Sequence, residues 1–141
     1  MNLEEAREHL DLARAQWDKA SVAWWPPTDA PSCVTNAFYA YENLVVAVAA
    51  AHGRKWEKSH YKKAELATAL FSDKILSVDV SNTILELNNL RKDVSYGEPG
   101  DELADADLES IVSDLETFIE EVEGIVGELE EEADQEEAQD E

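Results

Sequence analysis

The chain contains few cysteines, glycines and histidines, and each shortage excludes a class of functional site. The single cysteine, Cys33, rules out an internal disulfide and a cysteine-based zinc site. With five glycines in 141 residues, the sequence has no glycine-rich phosphate loop. Three histidines without paired Glu-x-x-His motifs give no basis for a metal site, and we expect no metal and no cofactor.

Long apolar runs and positive charges are also scarce. The longest apolar run, residues 44–51, is too short to span a bilayer, and the acidic N-terminal residues do not resemble a signal peptide. We therefore expect a cytoplasmic protein without membrane contact. Lys and Arg number 11 against 33 Asp and Glu, so the net charge is −22 and non-specific nucleic-acid binding is disfavoured. A high-salt cytoplasm, selection for solubility or a basic partner would each explain this acidity.

Apolar residues recur at helical spacing along almost the whole chain. The first helix is expected to start after Asn2 and to stop at Pro26 and Pro27. The second is apolar on all sides and is therefore expected at the centre of the molecule. The predicted helices cover residues 3–24, 32–52, 59–71, 79–97 and 105–129, the last starting at Asp105 or Asp107.

This pattern predicts an all-α protein with an antiparallel four- to five-helix bundle over residues 1–129. Residues 130–141 contain acids and no apolar side chain larger than alanine. Like charges repel and little can be buried there, so we expect a disordered acidic tail.

The few basic residues are not evenly distributed. Five of the eleven lie within residues 54–63. Arg91 and Lys92 add two more, beside a seam predicted to face the core through Leu87, Leu90 and Val94. Such clustering indicates either an anion-binding site or neutralisation of acids on adjacent helices. Because a charge is costly to bury, Arg91 is expected in an ion-pair network or at a site.

Four segments, taken in order, resemble the HEPN family of small helical bundles. They are A-F-Y-A-Y-E-N-L at residues 37–44, K-S-H at 58–60, L-N-N-L-R-K-D-V-S-Y at 87–96 and L-x-x-F-I-x-x-V at 115–122. The resemblance implies a homodimer, and many members are toxins or defence ribonucleases that pair with a minimal nucleotidyltransferase. Their catalytic signature is Arg followed four to six residues later by His. Arg91 matches the arginine, but Tyr96 stands five residues later.

A tyrosine is a poor general base at neutral pH, which favours a binding or regulatory role over catalysis. Our first hypothesis is therefore a non-catalytic or weakly active protein of a toxin–antitoxin or defence pair, which binds a nucleotide, an RNA end or a nucleotidyltransferase. The alternatives are a metal-independent endoribonuclease, with Tyr96 or His60 handling the proton, and a structural dimerisation module. The candidate catalytic residues are Arg91 and Tyr96. The candidate nucleotide- or RNA-binding residues are Arg91, Lys92, Asp93, Asn88, His60 and Lys58.

Overall fold

A computed structural model describes residues 1–95 and 98–140. The described residues form six helices and one short antiparallel strand pair, which confirms the predicted all-α class. The elements are α1 Leu3–Trp24, α2 Ala30–Ala51, α3 His60–Ser72, α4 Ser81–Lys92, β1 Val94–Ser95, β2 Glu98–Pro99, α5 Asp101–Ala104 and α6 Leu108–Asp140. In the part of the chain that is described, no helix is both long and apolar enough to cross a membrane.

Helix α2 lies at the centre, as its apolar composition predicted. It packs against every other helix, and each residue from 44 to 51 is buried. The helix begins slightly earlier than the predicted Ser32, because the Asp29 side chain accepts a hydrogen bond from the Ser32 N–H at 3.1 Å and caps it. Because no position of residues 44–51 is exposed, this part of α2 gives the surrounding helices a common support.

Helix α1 lies along α2 and carries the predicted buried stripe. Asn2 caps it by accepting a hydrogen bond from the Glu5 N–H at 3.0 Å. At its other end Trp24 is partly buried, whereas Trp25 is 66% exposed. The two adjacent tryptophans at this end of α1 therefore differ in burial.

Helix α4 ends at Lys92, earlier than the predicted Gly97, and the two short strands follow it. Val94, which was expected to face the core, belongs to β1 and is 38% exposed, so that prediction was wrong. The reason lies at Asp93, which leaves helical geometry and accepts a hydrogen bond from the Leu103 N–H at 3.0 Å. Tyr96 and Gly97 lie outside the described residues.

Helix α6 continues through Asp140, where the sequence favoured a disordered tail from residue 130. Glutamate and alanine are good helix formers, and Arg7 of α1 pairs with Glu130 at 2.5 Å. The Arg7 contact anchors the first residue past Leu129, and helix propensity favours the helical geometry beyond it. The division into a bundle over residues 1–129 and a disordered acidic tail over residues 130–141 stays a prediction.

Candidate functional site

Arg91 lies in the last turn of α4, half-buried against two aromatic rings of α2. Its guanidinium carbon is 4.8 Å from the centre of the Phe38 ring and 5.8 Å from that of Tyr39. Its Nε donates a hydrogen bond to Asn88 Oδ1 at 2.8 Å. Among the described residues no carboxylate lies within ion-pair distance of Arg91. The guanidinium is therefore oriented by neutral groups and keeps hydrogen-bond donors for an anion.

His60 approaches the same two rings from a different helix. It is the first residue of α3, whose predicted N-cap Ser59 accepts a hydrogen bond from the Lys62 N–H at 3.3 Å. The imidazole centre is 5.0 Å from that of Phe38 and 6.4 Å from that of Tyr39. The fold therefore places His60 and Arg91 against the same two rings, although the two residues are far apart in sequence.

Glu42 completes the cluster and was not singled out in the sequence. Its residue surface is only 2% exposed, in the middle of the apolar helix α2. One carboxylate oxygen, Oε2, lies 2.7 Å from His60 Nδ1, and the Lys63 Nζ lies 3.7 Å from the other oxygen. A lone charged residue in an otherwise apolar helix is the signal that could have identified it, since unpaired charges are almost never buried.

The other predicted site residues divide into four groups. Asn88 belongs to the cluster through its bond to Arg91. Asp93 is occupied by the backbone of α5, since its carboxylate accepts the Leu103 N–H. Lys58 and Lys92 are exposed near the ends of the two helices that supply His60 and Arg91. Tyr96 lies outside the described residues, so its predicted role stays a prediction.

The basic segment 54–63 is partly neutralised. Arg54 pairs with Asp73 at 2.6 Å, Lys62 with Glu65 at 3.3 Å, and Lys63 with Glu42. The first two pairs are exposed and contribute little to stability. Three bases of the segment therefore neutralise nearby acids. Of the remaining bases, Lys58 is exposed and is the nearest to His60 in sequence.

Two other features were candidates for chemistry. Cys33 is fully buried, and burial, together with the charge of Asp29, raises the pKa of its thiol to about 11. A thiol with that pKa is not a nucleophile at neutral pH.

A surface depression of about 680 Å³ lies where α1 meets α2, lined by Val22, Trp25, Pro26 and other residues. It is separate from the residues of the Arg91 cluster. Within the described ranges, no group of acidic, His and Cys side chains could hold a metal ion.

Comparisons with known proteins add no assignment. No protein-family model matches the chain, and a search of curated proteins finds no significant match. The site is therefore interpreted from its own chemistry: a cation and an imidazole that share an aromatic support, with a buried carboxylate behind the imidazole.

Proposed function

We propose that this chain is a HEPN-like binding protein that holds the phosphate of a nucleotide or of an RNA end between Arg91 and His60. The observation that supports the proposal is that both side chains lie against Phe38 and Tyr39. Arginine binds phosphate through a planar set of donors, and that set is best used when the guanidinium is already oriented. Stacking on Phe38 and the bond to Asn88 provide that orientation.

Tyr39 gives this site a surface for a base as well as for a phosphate. The residue is 36% exposed, and its ring centre is 5.8 Å from the Arg91 guanidinium carbon. Aromatic side chains stack on any base, with little dependence on sequence. The net charge of −22 repels long polyanions, so a short ligand or a single-stranded end suits this surface better than a duplex.

The proposal includes the partners that the family resemblance implies. We propose a homodimer, working beside a minimal nucleotidyltransferase of the same toxin–antitoxin or defence pair. Docking of that partner over the Arg91 cluster would regulate access to the phosphate site. Co-purification of the two proteins, and its loss in an Arg91→Ala variant, would support this part of the proposal.

A specific contact favours metal-independent RNA cleavage as the second candidate. His60 is hydrogen-bonded to Glu42, and an imidazole with a carboxylate partner is a common general acid or base. In that reaction His60 would carry the proton and Arg91 would stabilise charge on the phosphoryl group. Cleavage of a short RNA in the presence of a chelator, lost in His60→Ala, would support this candidate over simple binding.

The test of the binding proposal compares two adjacent bases of α4. Adenine nucleotides and a short single-stranded RNA are titrated against the wild type, Arg91→Ala and Lys92→Ala. A charged hydrogen bond contributes about 1.5–3 kcal/mol, so Arg91→Ala should weaken binding by roughly tenfold or more. Lys92→Ala, which removes the same charge from an exposed side chain, should have a much smaller effect. Equal losses would indicate non-specific attraction, and no binding by the wild type would favour a structural module.

A further inference from the structure

The burial of Glu42 is not explained by the apolar side chains around it. A buried carboxylate costs several kcal/mol in desolvation and is retained only with good partners. Here Oε2 is hydrogen-bonded to His60. The other oxygen, Oε1, has no hydrogen bond, because the Lys63 Nζ at 3.7 Å is too distant to donate one. The interaction with His60 is therefore the principal directional contact of this carboxylate.

We propose that Glu42 is a positioning residue that fixes the proton of the neutral His60 ring on Nδ1 and leaves Nε2 as an acceptor. The proposal rests on the proposed function and extends it to the class of ligand. Nε2 would receive a hydroxyl group that neighbours the phosphate bound by Arg91. The preferred ligand is then a phosphate ester with an adjacent hydroxyl, as in a ribonucleotide.

The direction of the hydrogen bond follows from elementary chemistry. A carboxylate has acceptors only, and the Lys63 Nζ lies 3.7 Å from its other oxygen, Oε1. At 2.7 Å the donor must therefore be the Nδ1–H of His60. A neutral imidazole has one ring proton, so Nε2 keeps its lone pair.

The Nε2 lone pair lies on the side of the imidazole ring that faces away from Glu42. The two nitrogens of an imidazole point in diverging directions, so Nε2 points away from the buried carboxylate. The His60 side chain is 40% exposed, and its ring stands edge-on to Phe38. His60 is therefore partly open to solvent, and its ring packs against the same two aromatic side chains that the Arg91 guanidinium contacts.

The first test is the tautomer of His60, measured by nitrogen NMR of the ring without any ligand. At a pH where the ring is neutral, the wild type should show the proton on Nδ1. In Glu42→Leu that preference should disappear, because the acceptor that selects it is gone. Glu42→Gln keeps an acceptor oxygen without the charge and should retain part of the preference, while the exposed Glu65→Leu should retain all of it. A wild-type ring protonated on Nε2 would overturn the proposal, even if the Leu variant did not fold.

The second test measures ligand choice with an adenine dinucleotide in its ribose and deoxyribose forms. A neutral hydrogen bond contributes about 0.5–1.5 kcal/mol, so the wild type should prefer the ribose form by roughly two- to tenfold. Glu42→Leu should lose the preference, whereas Arg91→Ala should weaken both forms alike. Equal binding of the two forms by the wild type would refute the hydroxyl contact. Absence of binding, or no effect of Arg91→Ala, would refute the proposed function while the tautomer measurement still decides the role of Glu42.

Discussion

Arg7 of the first helix and Glu130 of the last are joined by two parallel hydrogen bonds. The Nε–Oε2 distance is 3.2 Å and the Nη2–Oε1 distance is 2.5 Å. Arg7 also reaches Glu123 at 3.1 Å, and Arg14 reaches the same carboxylate at 2.8 Å. Two arginines of α1 therefore hold two glutamates of α6, and the hydrogen bonds that Arg7 donates to Glu130 and Glu123 keep its pKa above the usual value.

Truncation of the tail should reveal the contribution of this contact. A chain that ends at Leu129 lacks Glu130 and residues 131–141. A chain that ends at Glu130 lacks only residues 131–141. Because the pair is about one-third exposed, it contributes about 1 kcal/mol or less, and its loss should lower Tm by at most a few degrees. Thermal melts of both truncations at low and high salt check this. A large drop for both would show that residues 131–141 are needed for folding.

Glu123 should make the stability sensitive to acid. Burial raises the pKa of its carboxyl, but hydrogen bonds from Arg14 and Arg7 outweigh burial, so the net pKa lies below the ordinary 4.5. A lowered pKa means that the stabilisation is complete above pH 4.5 and is lost as the pH falls through the folded-state pKa. Denaturant unfolding across this range should show a gap of about 1 kcal/mol or less between the wild type and Glu123→Gln that closes in acid. The exposed Glu120→Gln should show no such gap.

Arg91→Ala should change folding only slightly. The side chain has no acidic partner among the described residues, and an exposed cation–π contact contributes about 0.5–1 kcal/mol. We expect a loss of about 1 kcal/mol in the free energy of unfolding, measured by urea titration. A loss of about 3 kcal/mol or more would indicate a buried ion pair and would contradict an open anion site.

Cys33 should react only when the protein unfolds. Its raised pKa and complete burial leave almost no accessible thiolate, so iodoacetamide should label the native protein slowly and the denatured protein fully. Cys33→Ala should cost less stability than Cys33→Ser, because the serine hydroxyl would be buried among apolar side chains. Rapid native labelling would contradict the buried position.

The proposed homodimer can be tested at the exposed end of α1. Val22 and Trp25 are 74% and 66% exposed beside the depression where α1 meets α2, which is unusual for such large apolar side chains in a monomer. Trp25→Ser should shift the sedimentation profile towards the monomer, whereas the exposed Leu12→Ser should not. A monomeric wild type would remove the homodimer prediction, and a dimer unaffected by Trp25→Ser would place the interface elsewhere.

Local patterns in the sequence predicted the helices well because caps and apolar stripes act within a few residues. Asn2 and Ser59 cap where expected, and the apolar α2 is central. The end of α4 was misplaced because Asp93 binds a backbone N–H of α5, a contact that helical periodicity does not encode.

The candidate site was predictable only in part. Arg91 was identified by its rarity and position, but its packing on the same two rings as His60 depends on how α3 and α4 pack against α2. Glu42 could have been noticed as the lone charge of α2, but its partner His60 comes from another helix and could not. Contacts between helices distant in sequence have no local signature, and they determine which polar residues meet.

Because α2 is enclosed along its second half, its tolerance to substitution should differ from that of any other helix here. A saturation-mutagenesis map of α1 or α6 should show restricted positions alternating with permissive ones every three or four residues. Across residues 44–51 the restriction should be continuous, because no position there faces water. Even the alanines should reject larger side chains, since a close-packed interior leaves no room for added methylenes. Sequence drift in this protein would then accumulate around residues 44–51 and leave that segment nearly unchanged.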